Sequence, residues 1–161
     1  MKHLLIIWHS RTGAAETMAR AAFEGAREEG EVRLLRAQDA SAEDVLAAHG
    51  YLFAAPENLA SLSGEMKEFF DRCYYPVLGR AEGRPYAQMI AAGSDGANAA
   101  RELARIAMGW RLREVQPPMI AVTDAQTPEQ ILGPKTLDAV LLTKCRELGA
   151  GMMAGVESGI W

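Results

Sequence analysis

Cysteine is scarce: the 161 residues include two, Cys73 and Cys145, far apart and in no Cys-x-x-Cys or Cys/His spacing. That excludes a disulfide framework and predicts reduced thiols and no metal site. Long hydrophobic runs are missing as well. The early run "LLIIW" is too short for a membrane span or a signal-peptide core, and a polar turn follows it, so the expected location is the cytoplasm. Charge of one sign never accumulates: the net charge is -4 and no block of five like charges occurs. The electrostatic footprint of a nucleic-acid binder is therefore absent, and an anionic small ligand would have to be met by local donors. No internal repeat or low-complexity linker divides the chain. With 49% hydrophobic and 24% charged residues, it reads as a single globular domain over 1–161.

What is present is an alternation of apolar runs and helical periodicities. "HLLIIW" (3–8) and "YLFAAP" (51–56) read as strands buried on both faces, "EVRLLR" (31–36) as a second strand, and "YAQMIAAG" (86–93) as a fourth. "RLREV" (111–115) follows as the fifth; Pro117 and Pro118 then interrupt the region before "MIAV", which puts this strand at a sheet edge. Between the strands lie helices. Residues 15–29 carry a small-residue stripe of Met18, Ala22, Gly25 and Ala26; "SAED" at 41–44 opens a short helix with a capping box; Met66, Phe69, Phe70 and Cys73 form the buried stripe of another. Ala99, Leu103, Ile106, Ala107 and Trp110 mark the fourth. Thr127 and Pro128 start a short turn of helix, and a last helix over 135–149 buries Leu137, Val140, Leu141 and Leu148. Tyr74, Tyr75 and Pro76 are expected to pack, and Trp161 is free to pack in a homo-oligomer.

Strand and helix alternating in this way imply an α/β fold of three layers, a five-stranded parallel sheet with helices on both faces. Two arrangements remain open, half a dinucleotide-binding fold or the order 2-1-3-4-5. In either, ligands bind beyond the carboxyl ends of the strands at a topological switch point, which directs attention to loops 9–15, 57–63 and 93–98.

The first loop, "HSRTGAAE", leads straight into a helix whose free N–H groups and dipole suit a phosphate. Ser10 and Thr12 add hydroxyls, Arg11 adds charge, and Gly13 allows a tight turn ahead of Ala14 and Ala15 at the helix start. Neither Gly-x-x-x-x-Gly-Lys-Ser/Thr nor Gly-x-Gly-x-x-Gly occurs, no Cys-x5-Arg follows the first strand, and positions 9 and 10 are His and Ser where a phospho-acceptor domain has an acidic pair. A monophosphate held without being cleaved fits what is left; a plain helix cap fits the loop taken alone equally well. In the second loop Pro56 stiffens the strand exit, and Glu57, Asn58 and Leu59 project at the same edge. The third, Gly93-Ser94-Asp95-Gly96-Ala97, offers glycines for close approach to a planar ring and Ser94 or Asp95 as a helix cap.

Ser10-x-x-Gly13-x-x-Glu16-Thr17-Met18-Ala19 and Ser63-Gly64-x-Met66-Lys67-x-Phe69-x-Asp71-Arg72, spaced as they are and joined by "AGSDG", resemble the flavodoxin-like FMN proteins. The branches resembled are the NAD(P)H:quinone oxidoreductases and NADPH-dependent FMN reductases. The resemblance implies FMN with its phosphate on Ser10 to Ala15 and its isoalloxazine bordered by Pro56 to Leu59 and Gly93 to Ala97. It further implies NADH or NADPH as a transient co-substrate and a quinone or similar acceptor. No acid/base dyad or nucleophile stands out, as expected where the chemistry belongs to the cofactor. Where the quinone reductases have Pro-Thr-Arg-Phe-Gly-Asn, this chain has Pro56-Glu57-Asn58-Leu59-Ala60-Ser61, without the aromatic and the arginine. Two other roles suit the same fold: an electron carrier docking to a redox partner protein, and a flavin-free interaction module.

Overall fold

The computed structural model describes residues 1–161. In chain order the elements are β1 (His3–Trp8), α1 (Ala14–Glu29), β2 (Glu31–Arg36), α2 (Ala42–Ala47), β3 (Gly50–Asn58), β4 (Ser61–Leu62), α3 (Gly64–Val77), β5 (Pro85–Ala92), α4 (Ala97–Gly109), β6 (Arg113–Glu114), β7 (Met119–Val122), α5 (Pro128–Leu132) and α6 (Ala139–Ser158). The strands pair in the order β2-β1-β3-β5, and β6 and β7 occupy successive stretches of the last edge beside β5, all parallel. Five strand positions in the expected order 2-1-3-4-5 thus hold the sheet, although seven strands are counted.

The two extra strands have local causes. "RLREV" pairs only at Arg113 and Glu114, Arg111 already having turned into the left-handed region at φ 59°. Pro117 and Pro118 cannot donate to a ladder, so regular pairing to β5 resumes at Met119. The other addition, β4, is the return arm of a hairpin extending β3 beyond its expected end at Pro56 to Asn58.

Alternate residues of β1 feed two cores. Leu5 and Ile7 join a cluster with Phe53, Phe69, Phe70 and Trp110, whose rings meet at centroid distances of 5.0 to 6.0 Å, under α2, α3 and α4. Leu4, Ile6 and Trp8 face the other way, into α1 and α6. Here the small-residue stripe of α1 permits backbone contact: a Cβ on Gly149 would lie 1.9 Å from the Ala22 carbonyl oxygen, and one on Gly25 2.0 Å from that of Arg146.

The last helix corrects the sequence expectation at both ends. It begins after the Asp138 cap, which accepts from the Leu141 N–H, and runs to Ser158 despite Gly149, Gly151 and Gly155. Its buried face is Cys145, Gly149, Met152, Met153 and Val156; Val140 is exposed and Leu137, Leu141 and Leu148 are partly buried. Glycine weakens a helix only when nothing compensates, and here it admits a neighbouring backbone. Trp161 lies where a Cβ of Gly155 would stand, its ring nitrogen 2.1 Å from that point, so it packs within the chain. α3 likewise runs on to Val77, leaving Tyr75 81% exposed and stacked on Tyr74 instead of buried.

Gly149→Ala should destabilise the fold by about 3 kcal/mol through overpacking against Ala22. Gly151→Ala, facing open space, should stabilise it by about 1 kcal/mol through helix propensity. Urea unfolding of the two variants checks the contrast; equal effects would overturn it.

Candidate functional site

At the carboxyl end of β1 the chain turns at Gly13, φ 105°, into α1. The Gly13 N–H donates to Ser10 Oγ at 3.0 Å, and Thr17 Oγ1 donates to the Gly13 carbonyl at 2.8 Å. The amides of Thr12, Ala14, Ala15 and Glu16 find no acceptor within the chain, although Ala14 and Ala15 are buried. First-turn N–H groups have no intrahelical partner in any α-helix, and a cluster of them at a helix N-terminus can serve as a seat for an anion. Ser10 Oγ, accepting from Gly13, keeps its own proton free to donate outward.

Arg11, expected to add charge to that seat, is engaged elsewhere. Its guanidinium is held by Glu65 on the first turn of α3, and Glu65 also lies 3.5 Å from His9 Nε2. His9 Nδ1 sits 2.9 Å from the hydroxyl of the buried Ser63, which ties the first loop to the second. Burial holds the His9 imidazole below its ordinary range, against the pull of Glu65 and with Arg11 and Arg36 adding to the effect. Trp8, His9, Arg11, Arg36, Gln38 and Glu65 line a cavity of about 240 Å³ on the β2 side of the loop. Arg36 and Arg20 stand over the Trp8 ring at 5.7 and 5.8 Å, within cation–π range.

The second loop is a tight hairpin. Asn58 pairs with Ser61, and Leu59 and Ala60 between them adopt φ 52° and 62°. Such a two-residue turn normally takes Asn-Gly, because non-glycine residues there are strained by roughly 1–3 kcal/mol each. The first turns of α4 hold it in place. Glu102 accepts from the Leu62 N–H at 2.8 Å and the Ser61 hydroxyl at 2.9 Å, while Asn98 Nδ2 donates to the Ala60 carbonyl. The Leu62 N–H foremost, then Ser61 and Asn98, keep Glu102 below the usual carboxylate range. Leu59 stands fully exposed at the tip.

Glu57 takes a role the sequence did not suggest. Its carboxylate accepts from the N–H groups of Gly96 at 2.9 Å and Ala99 at 3.1 Å, so it caps α4 from another strand and does not project as a free charge. The expected Ser94/Asp95 cap is reduced to Asp95, which accepts from Ala97 N–H at 3.2 Å. Gly96, φ 90°, leaves no room for a side chain, since a Cβ would meet Ile120 at 2.6 Å. Loops two and three are thus one hydrogen-bonded unit at the sheet edge beside loop one.

One residue escaped sequence reasoning. Lys135, in the link between α5 and α6, donates through Nζ to Thr12 Oγ1 at 3.1 Å, bringing an ammonium to the anion seat from 123 residues away. The link's other end leans on loop three: Thr123 N–H donates to the Ala92 carbonyl at 2.8 Å and Gln126 Nε2 to that of Gly93 at 3.3 Å. No local spacing signals such a contact.

Strand order, switch point and loop-borne site together define a flavodoxin-like α/β protein. The fold matches an archaeal flavodoxin with TM-score 0.78, at 16% identity, over 96% of this chain and 99% of that one. It matches a flavodoxin, WrbA-like protein of Agrobacterium tumefaciens equally, at 17% identity over 98% and 99%. A curated flavodoxin of Aquifex aeolicus is 40% identical over 86 residues, 52% of this chain; the match spans 46% of that relative's length. Residues 37–127 match NADPH-dependent FMN reductase, and the chain belongs to that family.

Ala60→Gly should relieve strain at the hairpin tip and stabilise the fold by up to about 1 kcal/mol, read from thermal or urea unfolding; a loss would show the turn to be unstrained. The His9 imidazole should titrate below 6.5, and Glu65→Gln should lower it further by removing the opposing carboxylate. Because the unfolded chain then takes the proton first, stability is full above pH 6.5 and declines as pH falls below it. Proton NMR of the imidazole resonances checks the shift.

Proposed function

We propose that the chain binds FMN and uses it for NAD(P)H-dependent reduction of a quinone or similar acceptor. The observation carrying this reading is the cluster of unpartnered amides on Thr12, Ala14, Ala15 and Glu16 at the N-terminus of a 16-residue helix. It suits the dianionic phosphate of FMN, and membership of the NADPH-dependent FMN reductase family agrees with it. When bound, FMN supplies the redox chemistry, taking a hydride from a nicotinamide and passing two electrons to the acceptor.

The chain's own residues supply the seat. Thr12 and Ser10 hydroxyls join the amides around the phosphate, and Gly13 turns the backbone toward it. The hairpin Pro56 to Ala60 and the loop Gly93 to Ala97 border the ring, with Leu59 offering apolar surface at the tip. Rigidity of this border comes from Glu57, Asn98 and Glu102, so little ordering cost accompanies binding. Glu57 lends its carboxylate to the α4 terminus and so borders the site without presenting a free charge to it.

A carrier role is the second reading, favoured by the 40% identity to the Aquifex flavodoxin. Purified protein should show a flavin absorption spectrum after FMN addition and gain thermal stability in proportion to ligand, about 2.7 kcal/mol at a hundredfold excess over Kd. Oxidation of NADH or NADPH with a quinone present is the expected activity. Reductive titration in two resolved one-electron steps with no such oxidation would transfer the assignment to the carrier, and the lack of any flavin effect would remove both.

A further inference from the structure

We propose that Lys135 sets the preference of the anion seat for a phosphorylated flavin over one without phosphate, acting through Thr12. The inference rests on the FMN reading above.

Lys135 comes from the link after α5, yet its ammonium reaches the first loop and donates to Thr12 Oγ1 at 3.1 Å. Its other two hydrogen bonds go to the carbonyls of Ile131 at 2.8 Å and Gly133 at 2.6 Å, which fix Nζ in place. All three N–H donors are used, so the side chain is a fixed point charge rather than a mobile one. A hydroxyl that accepts from an ammonium has its oxygen lone pair engaged and its own proton left to donate. Thr12 is thereby oriented as a donor, and the positive charge behind it strengthens that bond.

The other cations near the first loop are paired or turned to its β2 side, where Arg36 lines the cavity over Trp8. Arg11, the cation adjacent in sequence, is paired with Glu65. Arg20, in the second turn of α1, is paired with Glu16 at 2.8 Å. Lys135 forms no ion pair, and its hydrogen bonds run to neutral oxygens, so its charge remains uncompensated beside four unpartnered amides. A dianion placed there gains from that charge, whereas the uncharged ribityl end of riboflavin does not.

The two bonds to Ile131 and Gly133 would also be made by a lysine that merely closes the end of α5, so the test must separate the two roles. Protein stripped of flavin is titrated with FMN and with riboflavin, following quenching of flavin fluorescence. Lys135→Met should weaken FMN by about ten- to a hundredfold while changing riboflavin by less than about threefold, and should flatten the salt dependence of FMN affinity. Lys135→Arg should restore much of the FMN preference. Thr12→Val, which leaves the bonds to Ile131 and Gly133 intact, should show the same selective loss and so serves if the lysine variant folds poorly. Equal weakening of both flavins by Lys135→Met, or none, would overturn the role of Lys135 while leaving FMN binding standing. Wild-type protein that binds neither flavin would overturn both.

Discussion

Between β1 and β3 the chain reverses the direction in which it winds, and the site depends on that reversal. β1 sends its connection through α1 to β2 on one side, whereas β3, hydrogen-bonded to β1 on the other, leads onward through α3 to β5. The helices fall on opposite faces: α1 packs with the Leu4, Ile6 and Trp8 layer, α3 with Phe53 and Trp110. Loops from neighbouring strands therefore part at the sheet edge, and the crevice between them has backbone on both sides.

Each wall of the crevice is stiffened by an interaction outside it. α1, whose N-terminus holds the open amides, lies in backbone contact with α6 through Gly149 and Gly25, so the loop it carries is fixed by two helices. The opposite wall is a hairpin with two residues in the left-handed region, a conformation costing roughly 1–3 kcal/mol per residue. Hydrogen bonds to the charged Glu102, each worth about 1.5–3 kcal/mol, are of the right size to hold it. Glu57 then joins hairpin and third loop by lending its carboxylate to the α4 terminus, a contact in which charge, helix dipole and two amide donors all act in one direction.

Much of this was legible locally. β1 and β3 are buried on both faces, which is why their apolar runs are continuous, and the stripe of Met66, Phe69, Phe70 and Cys73 lies in the core as its helical spacing requires. Legibility failed where a glycine or proline had two meanings. Gly149, Gly151 and Gly155 look like helix breakers until a facing carbonyl is known, and the prolines that mark "RLREV" as an edge strand do not reveal that "MIAV" beyond them makes the longer pairing with β5. It failed again at the hairpin, since Leu59-Ala60 carries none of the Asn-Gly chemistry that marks such a turn.

The sequence by itself determined the layering and the three loops at the carboxyl edge, because hydrophobic period and turn residues are properties of neighbours along the chain; it left two strand orders open, and pairing across the sheet chose between them. The tertiary structure decided what each loop residue does there. Arg11 was assigned to the anion and pairs with Glu65; Glu57 was assigned to the ring border and caps α4; Lys135 carried no signal and stands behind Thr12. All three depend on partners 39 to 123 residues away, and electrostatic and hydrogen-bond partners at that separation are chosen by packing rather than by spacing.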